Sequence, residues 1–588
     1  MLCVKLEIPR WLQDGIKPND KGRRMDKFIY GADSETLDGK PMSFQFYSEH
    51  CACDSIHFVN EKNAAKNFLA WCAKRKPHVQ HVVYVHNLDF DLIEFLWGYH
   101  AHLIAPGGDF SFTVGEWTIT GVYGTPTFCR VSRGHALSII FINSFSFFRG
   151  SLAKAAEIFC PDLPKLKRPD GLGEKLFTER DKGFCAYAMR DAEVAFHIGV
   201  AIERIHTEFD LTQCVSVADL AARVFRHRFL TYTIPQPSRE IIECALLSYH
   251  GGKNNVTAPA GWYQGVTALD ISSAYPDAMH SLPAFSDGRL YRRLHTKRGS
   301  RITAVPPWGV YWISGTVAEC DWPVIFSHSF KPLHGKVENI AVQGQELNEA
   351  LASGEFKPKK IDGWYYDAER DHQAPAFRGF VEDFYKRKET EKDKVLRYMY
   401  KTILNSVYGK FIQTRKTSRV AYVDIDAGLV TTASEMIAGG MFHPFIASAI
   451  TAHTRARIHQ LEHRYSALHT ATDGIFTQKK AGAVGRGLGA LTVEAQGELL
   501  LVRNKLYILY AKNGTIKSWA FKGKNIAKYA LHGFQGSVHD LEKMIATGRR
   551  KYQVNRPNRL RESLKRKLTP NKFERREYIL KVGAVPVR

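Results

Sequence analysis

Six acidic residues in two groups carry the chemistry open to this sequence. Asp33 and Glu35 follow the apolar run Phe28-Ile29-Tyr30-Gly31-Ala32, Asp91 follows the β-branched stretch from His81 to His86, and Asp191 stands four residues after Tyr187. Val194, Ala195, Ile198 and Ile202 recur at helical spacing, which puts Tyr187 and Asp191 on one face of a helix. Four carboxylates at or just beyond strand ends and on that helix, with a tyrosine beside them, can hold two divalent ions. One ion would generate hydroxide and the other would stabilise the leaving oxygen in an in-line attack on a phosphodiester. Hard oxygen ligands suit Mg²⁺ or Mn²⁺. In the second group, Asp270 ends the strand-like run Val266-Thr267-Ala268-Leu269, and Asp473 precedes Gly474 at the expected tip of a hairpin. Two such acids can clamp two ions for phosphoryl transfer, where catalysis is mostly positioning and charge neutralisation. Lys401, Asn405 and Tyr408 fall at i, i+4 and i+7 of a helix expected over roughly 392–408. That polar stripe suits a nucleoside triphosphate, with Lys401 on the phosphates, Asn405 hydrogen-bonding and Tyr408 against base or sugar.

Positioning these groups needs several structural units. At 588 residues the chain exceeds one comfortable core, and 44% apolar content is ample for globular folding. Residues 28–200 read as mixed strand and helix, and a second mixed region runs from Val266 onward. No uncharged run of about twenty apolar residues occurs, so no membrane-spanning helix is expected. The first residues, Met1 to Glu7, lack a basic segment followed by an apolar one, and a reducing cytosol is the expected location. The ten cysteines all precede residue 321 and form no C-x-x-C pair, which argues against a zinc or redox centre. No G-x-x-x-x-G-K-[ST] stretch occurs, so no P-loop motor is built in. Gly482, Gly485, Gly487 and Gly489 lack a strand-turn-helix context and read as a turn. The formal net charge of +23 calls for an anionic partner, nucleic acid first. Residues 541–588 hold 15 Lys/Arg and 4 Glu, a net of +11.

The order of these motifs carries a family resemblance. Asp33 and Glu35, then His86 to Asp91, then Tyr187 to Asp191 resemble the three motifs of the DEDD-type 3′–5′ proofreading exonucleases, in their tyrosine subclass. The resemblance implies that Asp33, Glu35, Asp91 and Asp191 hold the metals and that Tyr187 positions the attacking water. It also implies that Asn87, Phe90, Ser151 and Leu152 touch single-stranded DNA, and that Lys167 or Lys165 is a basic helper, Lys167 being favoured. Asp270-Ile271-Ser272-Ser273-Ala274-Tyr275-Pro276, Lys401-x-x-x-Asn405-Ser406-x-Tyr408-Gly409 and Thr472-Asp473 resemble motifs A, B and C of the family B DNA polymerases. What this implies is that Asp270 and Asp473 are metal ligands, that Ile271 is a further metal and nucleotide contact, and that Tyr275 lies beneath the sugar. Tyr249-His250-Gly251-Gly252 resembles the template-contacting Y-x-G-G motif, and Lys505-Leu506-Tyr507 the K-x-Y motif of the primer terminus. Ala471 replaces the first Asp of motif C, from which an active enzyme with altered metal tolerance is expected.

The fold class expected is therefore α/β multidomain, a ribonuclease H-like exonuclease domain plus a right-hand palm, fingers and thumb. The expected borders are 1–212 exonuclease, 213–285 palm, 286–380 insertion, 381–412 fingers, 413–445 a second insertion, 446–515 palm and 516–588 basic thumb. The two intervals between motifs resemble the terminal-protein-region insertions of protein-primed members of the family. The implied partners are DNA template and primer, dNTPs and a terminal protein whose hydroxyl accepts the first nucleotide, with two Mg²⁺ or Mn²⁺ ions per site and the enzyme a monomer. A primer-independent polymerase, and a nuclease or DNA-binding protein with a dead palm, remain open as alternatives.

Overall fold

The computed structural model describes residues 6–7, 13–18, 27–49, 54–105, 108–171, 173–296, 301–424, 429–482, 484–515, 524–532, 534, 536–549 and 551–579. The first unit is built on an eight-stranded sheet in the order Ser55–Phe58, Lys40–Tyr47, Lys27–Leu37, Gln80–Val85, Leu137–Asn143, Phe128–Arg133, Trp117–Val122 and Asp109–Val114. The three middle strands run parallel, with Ile29 opposite Val82 and Val82 opposite Ile140. Their near-continuous apolar sequences follow from burial on both faces, as parallel strands require. The helix Lys182–Glu208 covers one face and the helices Ala64–Ala73 and Leu88–Phe95 the other.

The second unit rests on a seven-stranded sheet in the order Lys253–Val256, His469–Thr472, Gly474–Thr477, Gly261–Ile271, Leu491–Arg503, Leu506–Thr515 and Lys524–Leu531. Behind it lies the helix Pro444–Tyr465, buried along most of its length. The helices Ala376–Thr390 and Lys394–Leu404 pack together in front of motif A. The interval after motif A forms a four-stranded antiparallel sheet, Tyr291–His295, Phe356–Tyr366, Gly309–Val317 and Gly335–Gln343. It has its own core of Tyr311, Ile313, Val317, Leu347 and Ile361. After motif B, Thr414–Asp424 and Leu429–Ala438 pair as a hairpin, and Leu6–Glu7 adds to its edge in parallel. At the other end Lys551–Pro557 pairs with Phe573–Ile579. The two units share one hydrophobic cluster, running from Val82 and Tyr84 through Phe225 and Phe380 to Ile403 and Ile450.

Several local expectations change. Asp33 and Glu35 lie within the strand Lys27–Leu37, and Asp91 lies on the helix Leu88–Phe95, which begins directly after its strand. The motif B helix ends at Leu404; Asn405 is its C-cap and Tyr408 opens a separate 3₁₀ turn, because Asn405 turns its amide back onto the Lys401 carbonyl at 2.7 Å. In motif C the turn is made by Thr472, at φ 65°, and Asp473, with Gly474 already paired to Ala471. The expected borders at 380 and 445 fall inside helices.

Candidate active sites

The exonuclease carboxylates converge from three elements. One ligand atom from each of Asp33, Glu35 and Asp191 lies within 4.8 Å of the others, a spacing one divalent ion can bridge. Asp91 sits behind them, accepting hydrogen bonds from the Ser34 backbone N–H at 2.9 Å and its hydroxyl at 2.7 Å. Burial pushes Glu35 and Asp91 up to about 7, and the Asp191 charge adds to both shifts. Asp33 is raised well above the ordinary carboxylate range by burial and then by the charges of Asp91, Asp191 and Glu35. Desolvated acids that repel each other this strongly fit a site that takes cations. Tyr187 is buried, one turn from Asp191 on the same helix, and feels the charges of Glu35, Asp191 and Asp33.

The lysine that meets the acid cluster is Lys165. Its Nζ donates to Asp191 Oδ2 at 2.5 Å and lies 5.8 Å from the centre of the Tyr187 ring. Lys167, the residue favoured from sequence, is 85% exposed at its side chain and paired with Asp170 at 3.4 Å, outside the site. The two lysines are two residues apart in an irregular segment, so spacing alone did not choose between them. Asn87 adopts a left-handed conformation at φ 72° and caps the helix Leu88–Phe95, while Asn143 Oδ1 accepts from its N–H at 3.1 Å. Phe90 is half-buried. Ser151 caps the helix Leu152–Phe159, and Leu152 turns into the core. The outward-facing aromatic of this segment is Phe145, beside His86.

In the palm, strand pairing sets the two acids side by side. Asp270 is in register with Gly474, and the Ile271 N–H donates to the Asp473 carbonyl at 3.0 Å. The Ile271 side chain is buried, so only its main chain can reach a ligand. Burial and then the Asp473 charge push Asp270 up to about 7; burial raises Asp473, while Lys528 opposes both shifts. Glu494, ion-paired to Lys528, is a further acid at this site that no motif announced. Tyr275 stacks on Tyr408 with ring centres 4.2 Å apart and planes 12° off parallel. Lys401 is exposed near the end of the motif B helix. A Cβ on Gly252 would lie 2.4 Å from Thr472 and 3.0 Å from the Tyr275 hydroxyl, so this glycine lets the Y-x-G-G turn close onto motifs A and C. Gly251 is bound through its carbonyl by Arg455, whose guanidinium also grips Glu346 at 2.7 and 2.8 Å, fully buried. Neither Arg455 nor the buried Lys253–Glu462 pair beside motif C gave a signal in the sequence. Tyr507 is buried against His469 and Phe476, and Lys505 stands at the preceding turn with φ 55°. Gly489 donates to the Ser272 carbonyl and crowds Asp277, so the glycine run ends fixed against motif A.

One sheet thus carries a metal-spaced acid cluster, and a second carries paired acids beside the motif B helix. Over residues 187–442, which hold motifs A and B, the chain matches the family described as DNA polymerase type B, organellar and viral. Its fold is similar to that of Phi29 DNA polymerase complexed with primer-template DNA, at 15% identity and TM-score 0.66, covering 94% of this chain and 100% of that one. The ternary complex of the same polymerase with incoming nucleotide matches at 14% identity and TM-score 0.67, with the same coverage. The complex with single-stranded DNA matches at 15% and 0.66, again over 94% and 100%. No curated protein matches the sequence. Among the described residues no helix is long and apolar enough to cross a membrane.

Proposed function

We propose that this polymerase copies a DNA template by adding dNTPs to a 3′ hydroxyl, proofreads the product, and starts new chains on the hydroxyl of a terminal protein. The hydroxyl oxygen attacks the α-phosphorus, the bond to the β-phosphate oxygen breaks, and pyrophosphate leaves. Asp270 and Asp473 would hold two divalent ions, Mg²⁺ or Mn²⁺, and Asp33, Glu35, Asp191 and Asp91 the exonuclease pair. Bound there, such ions neutralise the charge that develops on the phosphoryl oxygens. Around them the chain orders the substrate. Lys401 meets the triphosphate, the stacked Tyr275 and Tyr408 form a floor that leaves no space for a 2′ hydroxyl, and Gly251 and Gly252 bring backbone close to the template. In the exonuclease, Lys165 hydrogen-bonds Asp191 and opposes the rise that burial imposes on its carboxyl, and Tyr187 orients the water.

The observation that carries protein priming is the insertion between motifs A and B, which folds as a sheet with its own core rather than as a loop on the palm. Chain initiation by this route takes place where the replicated DNA lies, the cytosol of the host. Incubating the enzyme with labelled dNTP, metal and the small protein encoded beside it should give a labelled protein band that survives denaturation. Synthesis that begins equally well without that protein, leaving a free 5′ triphosphate, would overturn the reading.

A further inference from the structure

The segment between Lys551–Pro557 and Phe573–Ile579 folds into a small knob. Asn558, fully buried, donates its N–H to the Lys572 carbonyl at 2.9 Å and accepts from the Asn571 N–H at 3.0 Å. Its side chain binds the Thr569 carbonyl and receives Arg576 at 2.8 Å. The knob also packs against the first sheet and its helices. Leu560, 2% exposed, belongs to the hydrophobic core of the exonuclease sheet, with Leu88, Leu92 and Phe95 of the Asp91 helix. Asn571 Nδ2 donates to Glu94 Oε1 at 2.7 Å and to the Phe90 carbonyl at 3.3 Å, both on that helix. Glu94 is fully buried and stands three residues from Asp91, almost one turn along. The knob also reaches the turn that joins the Asp33 and Glu35 strand to its neighbour. A Cβ on Gly39 would lie 2.6 Å from the Pro570 carbonyl oxygen and 2.7 Å from the Lys572 nitrogen.

We infer that Leu560 and Asn571, in the polymerase's C-terminal knob, are positioning residues of the exonuclease, setting the spacing between the strand of Asp33 and Glu35 and the helix of Asp91. Metal ligands tolerate errors of only about 0.2 Å, so a support that touches both elements acts on ion binding before it acts on folding. The knob makes no such contact with Asp270 or Asp473 among the described residues. It therefore separates the two activities of the chain. The inference rests on the exonuclease assignment and concerns what holds that site in register.

The test reverses one hydrogen bond. Asn571→Asp replaces the donor that faces Glu94 with an acceptor, and Glu94→Gln supplies a donor from the other side. Asparagine and aspartate both accept the left-handed backbone at 571 (φ 60°), so the exchange adds no strain. With full-length protein, Asn571→Asp should raise the Mn²⁺ concentration for half-maximal degradation of single-stranded DNA by about tenfold. The Mn²⁺ dependence of primer extension should stay put, and the double variant Asn571→Asp/Glu94→Gln should recover at least half of the loss. Leu560→Ala should shift the exonuclease metal dependence in the same direction. Equal shifts in both activities, or a loss that the double variant does not relieve, would overturn the inference. So would an unchanged exonuclease in both single variants. If wild type itself degrades no DNA, the exonuclease assignment fails instead, which the Asp33→Ala control identifies.

Discussion

The acid cluster of the first unit and the paired acids of the palm are built with different quantities of charge. The exonuclease gathers four carboxylates from a strand, one helix behind it and another across it, and sets against them Lys165 on Asp191 and the charge of Arg168 near Glu35. The palm keeps two carboxylates, one at the end of a strand and one in the turn beside it, with Ala471 where a third would stand and a Glu494–Lys528 pair at the side. The first site is set by packing between layers, so its geometry depends on distant parts of the chain. The second is set by hydrogen-bond register within one sheet, which fixes two neighbours wherever the sheet forms at all. A site of the first kind is easier to disturb from outside, and one of the second kind is easier to read from sequence.

The largest expected effect tests whether the sites are separate. Asp270→Ala or Asp473→Ala should lower primer extension by about 10³-fold or more, several kcal/mol of transition-state stabilisation, while 3′–5′ degradation continues. Asp33→Ala with Glu35→Ala should do the reverse. Loss of both activities in either folded variant, measured on one labelled primer-template, would merge the two sites into one.

Lys165→Ala should slow degradation by about 10- to 100-fold, and Lys167→Ala should leave it at the wild-type rate. The opposite ranking in a single-turnover assay would return the helper role to Lys167. In the palm, Tyr275→Val should remove most of the discrimination against ribonucleotides, roughly tens of fold in relative kcat/KM. An unchanged dNTP/rNTP ratio would break the reading of the Tyr275–Tyr408 stack as the sugar floor.

The smallest effect concerns acid titration. Glu35 and Asp91 rise from ordinary carboxylate values to about 7 in the folded protein, so the folded state holds more protons than the unfolded one between about pH 4.5 and pH 7. Stability from this source is present below that window and is lost as pH rises through it. In EDTA, raising the pH from about 5 to about 8 should lower the Tm of wild type more than that of Glu35→Gln, a difference on the order of 1–3 kcal/mol. Mn²⁺ should remove it. Identical curves for the two proteins in EDTA would mean that the cluster is already relaxed without metal.

The contrast also explains what could be read in advance. Motifs A, B and C were legible because each is local: Asp270 ends a strand, Asp473 sits on a two-residue turn, and spacing within a few residues carries the information. The Y-x-G-G turn was legible for the same reason. Tyr408 was placed on the wrong element because helical spacing continues past Leu404, while the stop comes from the Asn405 side chain bonding back to Lys401. Lys165, Arg455 and Glu94 find their partners 26, 109 and 477 positions away. No periodicity in one sequence encodes such a pairing.

The contact between Leu560 and the exonuclease core also has a meaning for synthesis on the ribosome. Asn571 leaves the ribosome 538 residues after Asp33, the difference 571 − 33. At about 5–20 residues per second the two are separated by roughly half a minute to two minutes. During that interval the exonuclease sheet has its strands and its Asp191 helix, yet the hollow that receives Leu560 is open beside Leu88, Leu92 and Phe95. Apolar surface left uncovered in this way is prone to aggregation until Leu560 arrives.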